Sequence, residues 1–377
     1  MSDYYTYRQI PVLLRGEPAT MVGKPGVWNW NDVNPGTAAL VDALDVLPDD
    51  KVLDLGCGTG LIGLAAARLA HRGWVTLADV NVAAVACARR TLAANGVVNA
   101  EVRLAAGTAA IAEYDLVLSH LPRGRVVVEG LICAVARALK PGGRFYLVAH
   151  KRTGVKGAIA YAAQTLGRVG VVRQKRGYHV ALAVKERSQT CEAWEDFTSL
   201  ALTLDGVPTT LVSRPGVFAW DRLDDGTAAL IRGMETRTAE TVLDLGCGTG
   251  LLALAAARRG AQVTAVDADL RAVESARRTL AANQVDGEVL ISDCAQAVLD
   301  RPFDVVLCNP PFHQGAGVEY QVARQMVRDA ATVLRPGGRL YLVSNAFIRY
   351  EREMEGRFAK VAEIFNDRRY RVLRATR

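Results

Sequence analysis

The segment Thr241-Val-Leu-Asp-Leu-Gly-Cys-Gly-Thr-Gly250 joins a short apolar run to a loop that contains three glycines. Nine of its ten residues recur in the same order at positions 52–60, which is an offset of 190 residues (242 − 52). An apolar run that ends in a glycine-rich turn is typical of a buried strand that leads through a tight loop into a helix. The chain therefore carries the same strand, loop and helix twice.

The repeat extends well beyond this segment. Matching pairs flank both glycine loops: GTAAL at 36–40 and 226–230, ARRTLAAN at 88–95 and 276–283, and LKPGGRFYLV at 139–148 beside LRPGGRLYLV at 334–343. Such a repeat is far larger than a solenoid unit, and a chain of 377 residues suits two ordinary domains. We predict one domain over residues 1–187 and a second over residues 188–377, divided within a polar stretch.

Within each copy, apolar runs of strand length alternate with amphipathic helical patterns. This alternation predicts a doubly wound α/β domain with a mainly parallel sheet. Only Asp367-Arg-Arg369 separates the last two predicted strands of the second copy, which leaves no room for a crossover helix, so these strands should pair antiparallel. The predicted strands of that copy lie near Thr241–Leu245, Gln262–Asp267, Glu288–Ser292, Asp304–Cys308, Arg339–Ser344, Ala359–Asn366 and Tyr370–Thr376.

The glycine loop of the second copy indicates a class of ligand. Its spacing is G-x-G-x-G, and Leu251 stands where a dinucleotide-binding loop carries its third glycine, so a pyrophosphate is disfavoured. Asp267 ends the next predicted strand, where a carboxylate can accept both hydroxyls of a ribose. Asp293 follows the third strand and is placed to accept a hydrogen bond from an adenine amino group. Together these residues predict an adenosine ligand without phosphates.

These residues resemble the S-adenosylmethionine site of class I methyltransferases, which also carry an L-[KR]-P-G-G turn before the fifth strand. The resemblance implies two tandem Rossmann-like methyltransferase domains, each with a seven-stranded, mostly parallel sheet and an antiparallel last strand. It also implies S-adenosylmethionine as the cofactor of the second copy. We expect the cofactor contacts to come from Asp244, Gly246, Cys247, Gly248, Gly250, Asp267, Ala268, Asp293, Thr227 and Asn309.

The fourth predicted strand of the second copy ends in Asn309-Pro-Pro-Phe312, at the carboxyl edge of the sheet. This tetrapeptide resembles the N-P-P-[YF] motif of methyltransferases that act on planar nitrogens. The side-chain oxygen of Asn309 and the carbonyl of Pro310 can accept both hydrogens of an exocyclic amino group, which directs its lone pair at the methyl donor. Pro310 and Pro311 stiffen the loop, and Phe312 can stack on the base. All four residues are therefore predicted to be catalytic.

The aligned segment of the first copy reads His120-Leu-Pro-Arg123, so the amide and the aromatic ring are both replaced. We expect that this copy does not catalyse the transfer. Its glycine loop and Asp79 are intact, whereas Asp293 has no clear counterpart in residues 104–107. The first copy is therefore predicted to support substrate binding or the fold, and whether it binds a cofactor of its own stays open.

A degenerate first half followed by N-P-P-F-H in the second half resembles the ribosomal RNA small subunit methyltransferase C family. The match includes residues 218–227, which precede the second glycine loop, and residues 279–283. The resemblance implies N2-methylation of a guanine in 16S ribosomal RNA. The expected partner is therefore ribosomal RNA or the small ribosomal subunit.

Three residues that precede the second glycine loop, Asp221, Asp224 and Thr227, could reach the methionyl end of the cofactor or the acceptor base. Capping of the following helix by Asp224 or Thr227 is an equally good interpretation. His313 is interpreted as part of the base pocket, with a simple loop residue as the alternative. The predicted substrate contacts are Phe312, His313 and Asp221.

Two other functions stay open on the sequence. The same motif serves the methylation of adenine N6 or of a protein glutamine amide, and only the pocket tells these acceptors apart. A catalytically silent RNA-binding or assembly factor could also keep the cofactor fold. The intact segment 309–312 argues against this last reading.

The composition is that of a globular protein with a net charge of +7 and a pI near 9.1, which permits a nucleic-acid partner without requiring one. Basic clusters at 151–152, 156, 173–176 and 368–371 are candidates for phosphate contacts. Membrane-spanning runs and a signal-peptide pattern are not found, so we expect a cytoplasmic protein, and we expect a monomer. The seven cysteines include no C-x-x-C pair and are odd in number, which predicts neither a metal site nor a disulfide framework.

Overall fold

The computed structural model describes residues 3–107, 113–187, 197–311 and 317–377. The chain divides into two compact units. One unit runs from Tyr5 to Asp196, and the other runs from Phe197 to Arg377 and includes the first residues of the chain up to Tyr4.

The first unit opens with a hairpin and continues with strands and helices in alternation. Its elements are β1 (Arg8–Leu14), β2 (Glu17–Gly23), α1 (Pro35–Ala43), β3 (Lys51–Leu55), α2 (Leu61–Leu69), β4 (Trp74–Asp79), α3 (Val82–Ala94), β5 (Ala100–Leu104), β6 (Tyr114–His120), α4 (Arg125–Ala138), β7 (Leu139–His150), α5 (Val155–Leu166), β8 (Val169–Lys175) and β9 (Tyr178–Val184).

The second unit repeats this order, and a four-residue helix stands in the place of the twelve-residue α5. Its elements are β10 (Thr198–Leu204), β11 (Val207–Ser213), α6 (Asp225–Gly233), β12 (Thr241–Leu245), α7 (Leu251–Arg258), β13 (Gln262–Asp267), α8 (Leu270–Ala282), β14 (Glu288–Ile291), β15 (Phe303–Cys308), α9 (Gly317–Val333), β16 (Leu334–Asn345), α10 (Glu351–Met354), β17 (Lys360–Asn366) and β18 (Tyr370–Thr376).

Each unit contains one seven-stranded sheet. The strand order is β5-β4-β3-β6-β7-β9-β8 in the first unit and β14-β13-β12-β15-β16-β18-β17 in the second. Strands β9 and β18 run antiparallel to both of their neighbours, and the remaining pairs are parallel. The predicted fold class is confirmed, and β17 and β18 pair antiparallel as their short connection predicts.

A two-stranded hairpin precedes each sheet, formed by β1 with β2 and by β10 with β11. The sequence analysis missed both hairpins, although their turns carry a signal. At Arg15-Gly16 φ is 54° and 84°, and at Asp205-Gly206 it is 54° and 79°. Positive φ at both central residues gives a turn whose twist matches that of paired antiparallel strands.

The topology of the second sheet brings the predicted site residues to one edge. Strands β12 and β15 are neighbours at the centre of the sheet, although they are not consecutive strands of the unit. The crevice at such a point, outside the carboxyl ends of the strands, is where α/β sheets bind ligands. Asp244 and Asp267 lie on β12 and β13, and Asn309 follows β15. Below them, buried side chains such as Val242 and Val305 form the hydrophobic core.

Gly250 links the glycine loop to helix α7. Its φ is +81°, in the left-handed region, and an added Cβ would lie 2.9 Å from the Cα of Ala276 in α8. Glycine is therefore required here both by the backbone conformation and by the close approach of α8. Gly60 has φ +84° in the first unit, and an added Cβ there would lie 3.1 Å from Ala88.

One cysteine departs from the sequence prediction. Cys133 on α4 is disulfide-bonded. An odd number of cysteines means that they cannot all be paired, but it does not exclude a single disulfide. Cys57, Cys87, Cys247, Cys294 and Cys308 are not disulfide-bonded, and all five are buried. In the same part of the chain no helix combines the length and the apolar character needed to cross a membrane. No group of three His, Cys, Asp or Glu side chains in the described ranges is arranged to hold a metal ion.

The strain at Gly250 is testable by substitution. Gly250→Ala should lower the free energy of unfolding of the second domain by about 2–3 kcal/mol, because alanine is disfavoured at positive φ and its Cβ meets α8. Urea denaturation measures this change. Gly233→Ala is the control, since Gly233 ends α6 and an added Cβ meets nothing nearer than 3.5 Å. Equal stability of the two variants would show that Gly250 is not required.

Candidate active site

Asp244 lies on β12 directly before the glycine loop and is fully buried. Its Oδ2 accepts a hydrogen bond of 3.0 Å from the backbone N–H of Ala253 in α7, while its Oδ1 is buried without any hydrogen-bond partner. Burial raises the pKa of this carboxyl to about 7. A buried acceptor without a donor costs free energy. An amino or hydroxyl group of a ligand in the loop would supply that missing donor.

The loop itself is held by Asp267 at the end of β13. The carboxylate accepts hydrogen bonds of 2.9 Å from the backbone N–H of Gly248 and of 2.9 Å from that of Asp269. Gly246 and Gly248 have φ of 81° and 52°, so the loop takes a path that few other residues could follow. Burial raises the pKa of Asp267 to about 6. Each carboxylate oxygen has a further lone pair, which a ribose hydroxyl can use.

Asp293 has a partner that the sequence analysis did not find. The hydroxyl of Tyr4 donates a 2.8 Å hydrogen bond to Oδ1 of Asp293, and Tyr4 is 5% exposed. Burial is the main cause that raises the pKa of Tyr4 well above its ordinary value, so this group stays a donor. The contact joins residues 289 positions apart, and a single tyrosine near the chain start carries no pattern that predicts it.

Asn309 is held by two residues that precede the glycine loop. Its Nδ2 donates to Oδ2 of Asp224 at 3.2 Å and to Oγ1 of Thr227 at 3.0 Å. Both amide hydrogens are therefore used, and Oδ1 of Asn309 is left buried without a partner. The side chain is thus fixed with its acceptor presented to a ligand. We call Asp224 and Thr227 the amide clamp.

The structure confirms the helix-capping interpretation of Asp224 and adds a contact with Asn309 that the sequence did not indicate. Its carboxylate caps α6, accepting from the backbone N–H of Thr227 at 2.8 Å, and the same Oδ2 also accepts from Asn309. Asp221 is exposed and pairs with Arg222 at 2.9 Å, and it is not a hydrogen-bond partner of Asn309. Helix capping and orientation of the amide are therefore one arrangement.

The other predicted site residues fall into two groups. Pro310 is buried and Pro311 half-buried, directly after Asn309. Cys247 is buried within the glycine loop, and Ala268 follows Asp267 at the end of β13. The two predicted base contacts, Phe312 and His313, lie outside the described residues.

In the first domain His120 occupies the position of Asn309. Oγ1 of Thr37 lies 3.5 Å from Nδ1 of His120, and the Trp28 ring meets the imidazole edge-on at a centroid distance of 4.7 Å. Burial lowers the pKa of His120 to about 4, so the ring is neutral at pH 7. This position therefore has a neutral imidazole where the second domain has an amide whose two N–H groups are held in place. The sequence predicts this loss of the amide.

One basic residue proposed as a phosphate contact is wrongly assigned. Arg371 is 2% exposed, and its guanidinium pairs with Glu363 at 3.0 Å, so it cannot reach a phosphate. Arg173 and Lys175 are partly exposed but both lie near Asp42, at 3.1 and 3.4 Å. A cluster of basic residues in the sequence does not show which of these side chains are already paired with carboxylates.

The chain matches a known family model and several named relatives. The model of the methyltransferase small domain matches the chain twice, over residues 18–182 and 208–374. The ribosomal RNA small subunit methyltransferase C of Chromohalobacter salexigens is 37% identical over 68% of this chain and 76% of its own length. The protein of that name from Pseudomonas putida is 34% identical over 70% of this chain and 80% of its own length.

A solved structure extends the match to the whole chain. The T. thermophilus 16S rRNA N2 methyltransferase, in complex with S-adenosylmethionine and guanosine, is 32% identical. The match covers 100% of this chain and 99% of that one, with a TM-score of 0.86. The chain thus belongs to the ribosomal RNA small subunit methyltransferase C family.

Proposed function

We propose that the second domain transfers a methyl group from S-adenosylmethionine to the exocyclic N2 of a guanine in 16S ribosomal RNA. The observation that carries this proposal is the unpartnered Oδ1 of Asn309, fixed by the amide clamp at the carboxyl edge of the sheet. Family membership supports the substrate, since the T. thermophilus relative was solved with S-adenosylmethionine and guanosine.

The residues present fit S-adenosylmethionine. The unpartnered Oδ1 of Asp244 suits a donor on the methionyl end, Asp267 suits the ribose hydroxyls, and Asp293, steadied by Tyr4, suits the adenine amino group. Gly248 lies between these carboxylates, and an added Cβ there would occupy open space in which the ligand can lie. When bound, the cofactor supplies an electrophilic methyl group.

The chain contributes orientation and charge stabilisation. An amino nitrogen on a purine shares its lone pair with the ring and is a poor nucleophile. Oδ1 of Asn309 and the carbonyl of Pro310 accept its two hydrogens, which points the lone pair out of the ring plane and stabilises positive charge on nitrogen. The proton becomes acidic once the methyl group is attached, so no strong base is needed. Phe312 is proposed to stack on the base.

The remaining parts of the proposal concern the setting of the reaction. The domain over residues 1–187 holds RNA or supports the fold, and the domain over residues 188–377 catalyses. The protein works as a monomer in the cytoplasm and without a metal ion. Partly exposed basic residues such as Lys151 and Arg152 suit phosphate contacts.

A labelling experiment tests the function. Small ribosomal subunits or naked ribosomal RNA from a strain that lacks the enzyme are incubated with the protein and labelled S-adenosylmethionine, then digested to nucleosides. All label should appear in N2-methylguanosine. Label in N6-methyladenosine, or no label in either substrate, would contradict the proposal.

The amide clamp predicts a graded loss of activity. Asn309→Ala should lower kcat at least ~10²-fold, because it removes an acceptor at the reacting nitrogen. Thr227→Val should lower kcat roughly tenfold with the KM for S-adenosylmethionine unchanged, because one hydrogen bond that orients the amide is lost. Steady-state kinetics separate the two constants.

The duplication offers a matched control for the clamp. Thr37 has the same place in the first domain, next to His120, so Thr37→Val should leave both constants unchanged. If Thr227→Val raised the KM for S-adenosylmethionine and spared kcat, Thr227 would be a cofactor contact rather than a positioning residue.

Cofactor affinity should depend on pH. Burial raises the pKa of Asp244 to about 7 and that of Asp267 to about 6, and each is the stronger acceptor of ligand hydrogens when it is deprotonated. The Kd for S-adenosylmethionine should therefore be constant above pH ~8 and rise as pH falls through these values, about tenfold per unit for each protonated group. Calorimetry between pH 8 and 5, with circular dichroism to monitor folding, measures it. An unchanged Kd at pH 5 would show that neither carboxylate contacts the cofactor.

A further inference from the structure

The first domain keeps the glycine loop of the catalytic domain in conformation as well as in sequence. The φ values of Gly56, Gly58 and Gly60 are 81°, 55° and 84°. Those of the three glycines in residues 246–250 are 81°, 52° and 81°. The loop is thus built in the same way in a domain that lacks the amide and aromatic ring of the transfer motif.

The carboxylate at the end of the next strand is also unchanged. Asp79 accepts from the backbone N–H of Gly58 at 2.9 Å and from that of Asn81 at 2.9 Å. These contacts reproduce those of Asp267 in the catalytic domain. A carboxylate with this orientation can accept ribose hydroxyls in either domain.

Asp54 provides an independent observation that points to a ligand. It is fully buried, and its Oδ2 accepts from the backbone N–H of Gly63 at 2.8 Å. Its Oδ1 is buried without a partner, as is Oδ1 of Asp244 in the catalytic domain. The second oxygen is therefore a buried acceptor to which the described residues supply no donor.

The outer side of this loop has room for a ligand. A Cβ added at Gly56 or Gly58 would meet no atom within 4 Å among the described residues. At the corresponding Gly246 a Cβ would lie 2.6 Å from Cε of Met326. The loop of the first domain is therefore at least as open on this side as that of the catalytic domain.

The adenine end differs between the domains. The backbone N–H of Ala105 donates to the carbonyl of Asp79 at 2.9 Å, and that of Ser292 donates to Asp267 at 2.8 Å. These matching bonds place Ala106 where the catalytic domain has Asp293. The acceptor for an adenine amino group is thereby lost, so a ligand is held by its ribose and amino-acid ends and more weakly than in the catalytic domain.

We propose that the first domain carries a second site for an S-adenosyl ligand, formed by Asp54, the loop 56–60 and Asp79, in which the ligand is bound but not turned over. Without the amide acceptor of the transfer motif, such a ligand has no oriented nucleophile beside it. Binding at this site adds to the stability of the first domain.

Stoichiometry of binding tests the proposal on the full-length protein. Equilibrium dialysis with labelled S-adenosylhomocysteine should give two equivalents per chain for the unaltered protein, with one site several-fold weaker. Asp267→Asn should leave one equivalent, and Asp79→Asn should leave one equivalent of the tighter kind. Asp49→Asn is the control in the first domain, because Asp49 is exposed and pairs with Arg72, and it should keep two.

One equivalent in the unaltered protein and none in Asp267→Asn would overturn the second site. The Asp267→Asn result stands even if Asp79→Asn fails to fold, because it reports the first domain with its sequence intact. Failure of the proposed rRNA methylation would be seen as a lack of labelled nucleoside, which these stoichiometries do not measure. The two proposals can therefore fail independently.

Discussion

The hydrogen bond from the backbone N–H of Gly248 to Asp267, 2.9 Å long, is the constraint on which the active domain depends. It ties the loop after β12 to the end of β13, so two neighbouring parallel strands share one ligand-binding edge. The loop can donate this bond only because its glycines take positive φ. With the loop fixed, Asp244, Asp267 and Asn309 lie at one edge of the sheet, where we propose that the cofactor and the acceptor base bind.

Comparison of the two domains separates what the fold needs from what the chemistry needs. Both domains keep the glycine loop, the carboxylate that holds it and a threonine beside the residue at the end of β6 or directly after β15. They differ at that residue, where Asn309 presents a fixed amide oxygen and His120 presents a neutral imidazole. The amide of Asn309 has two N–H donors, which hold it in place, and an oxygen acceptor. A neutral imidazole has only one N–H donor and one nitrogen acceptor, so it cannot be held and presented in the same way. The proposed difference in activity between the two domains therefore rests on this one group and on the aromatic residue of the motif.

The sequence predicts those features that depend on local pattern. The strands of the second sheet, its closing antiparallel pair and the glycine loop follow from apolar runs, short connections and residue spacing, and the structure has them. The hairpin turn at Asp205-Gly206 could have been predicted from its Asp-Gly dipeptide, but the sequence analysis missed it. Two contacts could not be predicted from the sequence, because each depends on how distant segments pack. One joins Tyr4 to Asp293, and the other joins Asn309 to Asp224 across 85 positions. The same holds for Arg371, whose burial a run of basic letters does not reveal.

The unpartnered oxygens support the proposal that each domain binds a ligand. A buried acceptor without a donor costs about 1–3 kcal/mol, and Asp54, Asp244 and Asn309 each have one. In each case another atom of the same side chain already makes the bond that the local fold needs. The remaining oxygen is therefore left to accept from a donor that a ligand can supply. Asp54 repeats this arrangement in a domain that lacks the transfer motif, so the proposed second site separates binding from catalysis in this duplicated fold.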